Sequence, residues 1–206
     1  MSKSKIDMVN SALVLVGDSV ITSLDDQSTQ ALVADTVLED FIDAELFETR
    51  WRFATDTQSA PFVSSITHAT GLGVFQIPTN TIRVWNVLEG GTSIGGRWEM
   101  EGNYLLLDGD ENSVIACERT TEPPVGNWPP HFRLSVIFRL ASAFCLALTE
   151  NEDKSELLLK WSEAYARKAR SMDGGQSAPR AINTGQMLGV RRGGGLARLN
   201  NEGMFS

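Results

Sequence analysis

The sequence predicts an α+β protein: an antiparallel helical bundle of about four helices drawn from both chain ends, with an inserted antiparallel β-meander domain and an extended C-terminal arm. Three observations predict it. Apolar residues recur at spacings of three and four before residue 54 and after residue 129. Between them the period shortens, and β-branched and aromatic residues alternate with Gly, Pro, Asn and Asp. Beyond residue 170 the composition shifts again, with eight of the 18 glycines in the last 36 residues. The expected organisation is therefore a discontinuous bundle over 1–54 and 129–175, a β domain over 55–128, and an arm over 176–206.

The elements follow in order. Ser4 caps a first helix whose apolar residues are Ile6, Val9, Leu13 and Val16, and Gly17 stops it. Ser28 or Thr29 begins a second helix running to about Arg50, with Val33, Val37, Phe41, Ala44 and Leu46 as its inward stripe. Its other face is acidic, carrying Asp35, Glu39, Asp40, Asp43, Glu45 and Glu48. Short strands are expected over 82–88, 97–101, 104–107 and 113–119, joined by a two-residue turn at Gly102-Asn103 and a longer one at 108–112. Alternation in 97–101 sets Trp98 and Met100 on one face and three charges on the other. Asn127-Trp128-Pro129-Pro130 restarts helix, and residues 132–149 are apolar almost all round, leaving Arg133, Arg139 and serines outside. Asn151 caps a last helix from Glu152 to Arg170, with Leu158, Trp161, Tyr165 and Ala169 inward.

Charge narrows the partners. The chain has 18 Lys+Arg against 26 Asp+Glu, a net charge of −8 and an isoelectric point near 4.8. A protein that grips nucleic acid through its phosphates needs the opposite balance. The asymmetry is internal: residues 171–206 carry a net +2 from Arg180, Arg191, Arg192 and Arg198 against Asp173 and Glu202, leaving −10 for residues 1–170. Eight apolar residues in the same stretch, Leu196, Leu199 and Phe205 among them, are more than a plain linker needs, so an arm that orders on a partner is expected. Cys117 and Cys145 lack neighbours at metal-ligand spacing and read as two buried thiols, consistent with a cytoplasmic folding compartment. No secretory signal is expected, and the apolar run 134–148 reads as too short and too polar to cross a bilayer.

Catalytic chemistry finds little support. The two histidines, His68 and His131, fit an exposed turn and a helix start respectively. There is no Gly-x-Ser-x-Gly elbow, Walker loop or dinucleotide fingerprint. The loop 108–112 imitates the start of a calcium loop, then presents Ser113 where glycine is needed and Arg119 where a bidentate glutamate is needed. Carboxylates are plentiful enough for a glycoside-hydrolysing pair, but candidates such as Glu39 with Asp43 stand at i, i+4 spacing and read first as a solvated face. No cofactor or metal is expected.

The order of segments is more specific than any motif. Gly17-Asp18, Leu24 to Asp26, and the acidic helix ending in Phe47-Glu48-Thr49-Arg50-Trp51-Arg52-Phe53-Ala54 come first. Then follow Phe75-Gln76-Ile77-Pro78, Ile82-Arg83-Val84, Trp98 through Leu106, and Asn127-Trp128-Pro129-Pro130-His131-Phe132 ahead of an Ala-rich helix. Over residues 5–175 this succession resembles the tail tubular protein A family, the head-to-tail adaptors of short-tailed, podovirus-type bacteriophages.

The resemblance implies a structural virion protein rather than an enzyme, made in the host cytoplasm and placed at the head-to-tail junction. It implies a ring of twelve copies between the portal protein and the tail nozzle (tail tubular protein B), with tail fibres at the periphery. DNA would pass through the channel without tight binding, and no membrane is involved. Within that expectation, Arg191, Arg192, Leu196, Arg198 and Leu199 are candidate portal contacts, and Asp35, Glu39, Asp40, Asp43 and Glu48 a candidate acidic lumen or inter-subunit face. Two alternatives stay open: a virion-associated carbohydrate hydrolase using a carboxylate pair, and a cytoplasmic binding module.

Overall fold

The computed structural model describes residues 4–175, so the arm 176–206, with Arg191, Arg192, Leu196, Arg198 and Leu199, lies outside the described residues. The fold is α+β. Four helices, α1 (Lys5–Val16), α2 (Thr29–Glu48), α3 (Pro130–Thr149) and α4 (Glu152–Gly174), flank seven strands in the middle of the chain.

Local chemistry sets the helix ends. Ser4 Oγ accepts from the Asp7 amide while the Asp7 carboxylate accepts from the Ser4 amide, a reciprocal capping box that opens α1. Gly17 closes it in the left-handed region at φ 92°, its amide bonding Leu13 O and Val14 O. Ser28 caps α2 through the Ala31 amide. Pro130 stands in the first turn of α3, where its missing amide hydrogen is no loss. Asn151 Oδ1 accepts from the Lys154 amide at 2.9 Å, so α4 begins after a link of only two residues, Glu150 and Asn151.

The strands are β1 (Thr55–Ser59), β2 (Gly73–Gln76), β3 (Arg83–Glu89), β4 (Thr92–Ser93), β5 (Trp98–Glu101), β6 (Tyr104–Leu107) and β7 (Ile115–Thr120). They do not follow one meander. They divide into two antiparallel sheets, ordered β1-β7-β3-β4 and β2-β6-β5. Gly102 at φ 57° and Asn103 make the expected two-residue turn, which pairs Glu101 with Tyr104. β1, β2 and β4 went unseen: β1 is a polar, largely exposed edge strand, β4 has two residues, and β2 is a short buried run beginning with glycine.

Two apolar cores result. One gathers Met8, Leu13, Leu38, Ile42, Leu46, Phe132, Leu140 and Phe144 among the helices. The other gathers Ala60, Phe75, Val87, Leu105, Leu107, Ile115 and Cys117 between the sheets. Where the chain leaves the helices at 51–53 and returns at 128–132, four aromatic rings lock the two crossings together. Phe132 meets Trp51, Phe53 and Trp128 edge-on with centroids 5.0, 4.9 and 5.1 Å apart. Both buried indoles are satisfied, Trp51 Nε1 donating to Glu45 O and Trp128 Nε1 to Pro123 O, each at 2.7 Å.

Several expected burials shift. The inward stripe of α2 is Ala31, Ala34, Leu38, Ile42 and Leu46; Val33, Val37 and Phe41 flank it half-buried, and Ala44 is exposed. Trp161 lies outward, 46% exposed, because Ser162 takes the inward position and donates to Ser135 O at 2.8 Å. Ser135 and Ser142 are accordingly buried between α3 and α4. Met100 is 58% exposed on the edge strand β5. At 20 residues and mean hydropathy 1.6, α3 is long and apolar enough to span a bilayer, contrary to the length argument from the sequence. Protein covers it here: Phe132, Val136, Leu140 and Phe144 are fully buried in the helical core.

Candidate interaction surface

An open groove of about 1210 Å³ runs between the outward side of α2 and the segment entering β3. From α2 come Glu39, Asp43, Ala44, Phe47 and Glu48; facing them are Asn80, Thr81, Ile82, Arg83 and Glu122, with Arg139 of α3 at the base. Helical periodicity explains the first set, since residues 39, 43 and 47 recur every four positions on the side opposite the core stripe.

Arg83 joins the two walls. Its Nη1 donates to Phe47 O at 2.8 Å, and its guanidinium carbon lies 4.8 Å from the Phe47 ring centroid and 4.0 Å from that of Trp85. Trp85 is held in turn by Nε1 donating to Thr120 Oγ1 at 2.7 Å. Phe47 nevertheless stays 51% exposed, an apolar surface at the groove's edge.

The acids stand in different electrostatic situations. Lys5 Nζ bridges Glu39 at 2.7 Å and Glu122 at 2.9 Å. Burial pulls the Lys5 pKa down, but hydrogen bonds to the two carboxylates outweigh it and hold the ammonium above the ordinary lysine value. Glu48 Oε2 lies 3.1 Å from Arg170 Nη1, close enough for charge attraction but not aligned for a hydrogen bond. Asp43 makes no ion pair among the described residues, and its pKa is raised by partial burial and by neighbouring Glu39.

Among the sequence-predicted residues, Glu39, Asp43 and Glu48 meet in this groove. Asp35 lines a separate hollow of about 390 Å³ beside the 24–29 link, and Asp40 is exposed outside both. Glu45 does not belong to the outward acidic face. Its side chain is 5% exposed, with Oε1 2.7 Å from Arg139 Nη1 and Oε2 buried without a hydrogen-bond partner. Arg139, expected outside, reaches back across the helices to neutralise it.

Arg119, not among the candidates expected from the sequence, is buried and clamps the β1 end of the sheet. Its Nε and Nη2 take Asp56, and Nη1 takes Thr79 O and Thr81 Oγ1. The alternation of β7 places Arg119 inward, but no local signal pairs it with Asp56, 63 residues away. His68 is less exposed than expected, with Nε2 3.0 Å from Glu101 Oε2 and Nδ1 2.6 Å from Thr70 Oγ1. His131 stacks on Tyr165. The 108–112 loop is a hairpin turn closed by Asp110 and Ser113. Both cysteines are buried free thiols, and burial raises the Cys117 pKa. Among the described residues no group of three or more His, Cys, Asp or Glu is placed to hold a metal ion.

No protein-family model matches the chain, and no curated protein matches it closely enough to indicate a relative. The groove brings together an exposed phenyl ring, a fixed guanidinium and one carboxylate, Asp43, without an ion pair among the described residues.

Proposed function

We propose that this protein is a ring-forming structural adaptor of the head-to-tail junction in a short-tailed bacteriophage, twelve copies of which connect the portal to the tail nozzle. The observation that carries the reading is the ordered succession of segments over residues 5–175 that resembles the tail tubular protein A family. Its α+β arrangement, with helices from both ends of the described chain enclosing the strands, is compatible with that family's helical and β parts.

The physics of the role suits this surface. A closed ring uses two unlike lateral faces per subunit. The acidic groove on α2 supplies one candidate face, and the arginine-bearing arm the complementary element, directed at a neighbour or at an acidic portal surface. Any of Asp35, Asp40 and Asp43 that line the lumen would repel phosphate and keep passing DNA off the wall. Tail fibres would attach on the outside.

One observation favours a second reading. Asp43, a carboxyl with raised pKa beside Glu39 and Phe47 in a large groove, has the ingredients of a glycosidase acid. Glu39, however, is engaged by Lys5 and is not free to act as its partner base. Electron microscopy of the purified chain mixed with portal rings tests the adaptor reading. Twelve-fold density stacked on the portal is expected; a monomer that never joins the portal, or polysaccharide cleavage lost in Asp43→Asn, would overturn it.

A further inference from the structure

We propose that the α2 groove is a docking site for an extended, arginine-bearing segment, and that its occupant is residues 187–199 of a second copy of this chain. This requires only that two copies meet, and it rests on no role in a virion.

The groove is a surface feature of about 1210 Å³ rather than an enclosed pocket, a shape that suits a length of chain. Of its four carboxylates, Glu39 and Glu122 are bridged by Lys5 and Glu48 lies beside Arg170, which leaves Asp43 as the acid open to an incoming cation. Asp43 is exposed and makes no ion pair among the described residues, and an arriving cation offsets the repulsion from neighbouring Glu39 and Asp40. Phe47 offers an exposed ring within side-chain reach of the same carboxylates. A complementary chain therefore brings a cation to Asp43, apolar anchors to Phe47, and small residues that let its backbone lie close.

Residues 187–199 have that composition. They carry Arg191, Arg192 and Arg198, no acid, the anchors Met187, Leu188, Val190, Leu196 and Leu199, and four glycines. The three arginines give this stretch a net charge of +3 in a chain whose net charge is −8. A segment that orders on binding surrenders conformational entropy, which limits affinity but lets it follow a long groove. Docking of this kind, from one copy into the next, is head-to-tail and hence suited to a closed assembly. Before a larger acidic partner competes for the arm, the neighbour's groove is where it rests.

The experiment uses a fluorescein-labelled peptide of residues 185–201 and, as receptor, the full chain carrying Arg191→Glu, Arg192→Glu and Arg198→Glu, so that its own arm does not compete. Anisotropy should report saturable binding that weakens as salt rises, and Asp43→Lys in the receptor should weaken it about ten-fold. Asp43 is exposed and unpaired among the described residues, so folding is expected to survive, and circular dichroism checks it. In parallel, full chains carrying Ala44→Cys and Leu196→Cys, distinguished by a mass tag, are mixed under mild oxidation. A disulfide-linked heterodimer, suppressed by Asp43→Lys, supports the proposal. No peptide binding, or binding indifferent to Asp43→Lys, overturns the groove. If one chain carrying both Ala44→Cys and Leu196→Cys closes an intrachain disulfide while the mixture yields no heterodimer, the second copy is overturned as occupant. Rings that assemble without peptide binding would sink this inference while leaving the adaptor reading intact.

Discussion

Replacing Arg139 by Met isolates the buried charge under the groove. Glu45 is 5% exposed, and Arg139 Nη1 at 2.7 Å is the ionic partner of its carboxylate among the described residues. Removing one member of a buried pair costs about 3–5 kcal/mol, because the remaining charge is left in a poorly polarisable setting. Arg139 is itself 33% exposed, so water reaches part of the pair and the lower end applies, about 3 kcal/mol. For a chain of this size each kcal/mol moves the melting temperature by about 2–4 °C, giving a drop of about 6–12 °C in calorimetry. The double variant Glu45→Leu with Arg139→Met should recover most of that loss. Glu45 Oε2 has no hydrogen-bond partner, so the native pair does not fully repay its own desolvation. A drop under about 1 °C in Arg139→Met, or a double variant as unstable as the single one, would refute the reasoning.

Four further outcomes are expected. Phe132→Ala removes the ring that meets Trp51, Phe53 and Trp128 and should lose about 3–5 kcal/mol in chemical denaturation, loosening both crossings into the strands together. Gly73→Ala drives a Cβ into Gly109 O, a backbone atom that cannot swing aside; a loss of about 1–3 kcal/mol is expected, and a neutral effect would mean that the 108–113 turn yields easily. Lys5→Met should lose up to about 1 kcal/mol, since Glu39 is half-exposed. The lysine's folded pKa lies above its unfolded value, so that contribution is complete below pH 10.5 and disappears as pH rises through the higher folded value; wild type and variant should converge there in thermal melts. Cys117, buried and with its pKa raised by burial, should resist iodoacetamide at neutral pH in the native protein and react on unfolding, as followed by mass spectrometry.

Elements decided by neighbours in sequence were legible. The Ser4 cap, the Gly17 stop, the Gly102-Asn103 turn and the Asn151 cap are all chemistry within four residues, and each is seen. Burial decided by distant packing was less so. The inward phase of α2 lies about one residue from the expected stripe because the alanines at 31 and 34, buried in the helical core, carry little hydropathy. Trp161 reads as core by size, but close α3–α4 contact needs the small Ser162 there. Polar β1 owes its existence to pairing with β7, sixty residues on. For the site, the acidic side of α2 was visible, whereas the groove was not: its other wall comes from 80–83 and Glu122, and only the fold brings them to Glu39 and Asp43. The Glu45 reversal has the same origin, because helical spacing alone does not show that Arg139 reaches it from 94 residues away.

The central claim is that this chain acts by assembling into a closed annulus. Mass photometry and negative-stain imaging of the purified full chain across a concentration series, with and without portal rings, test it most directly. The account predicts closed particles of a single copy number, twelve, seated coaxially on the portal. Open filaments, mixed ring sizes, or a monomer at every concentration with portal present would contradict it.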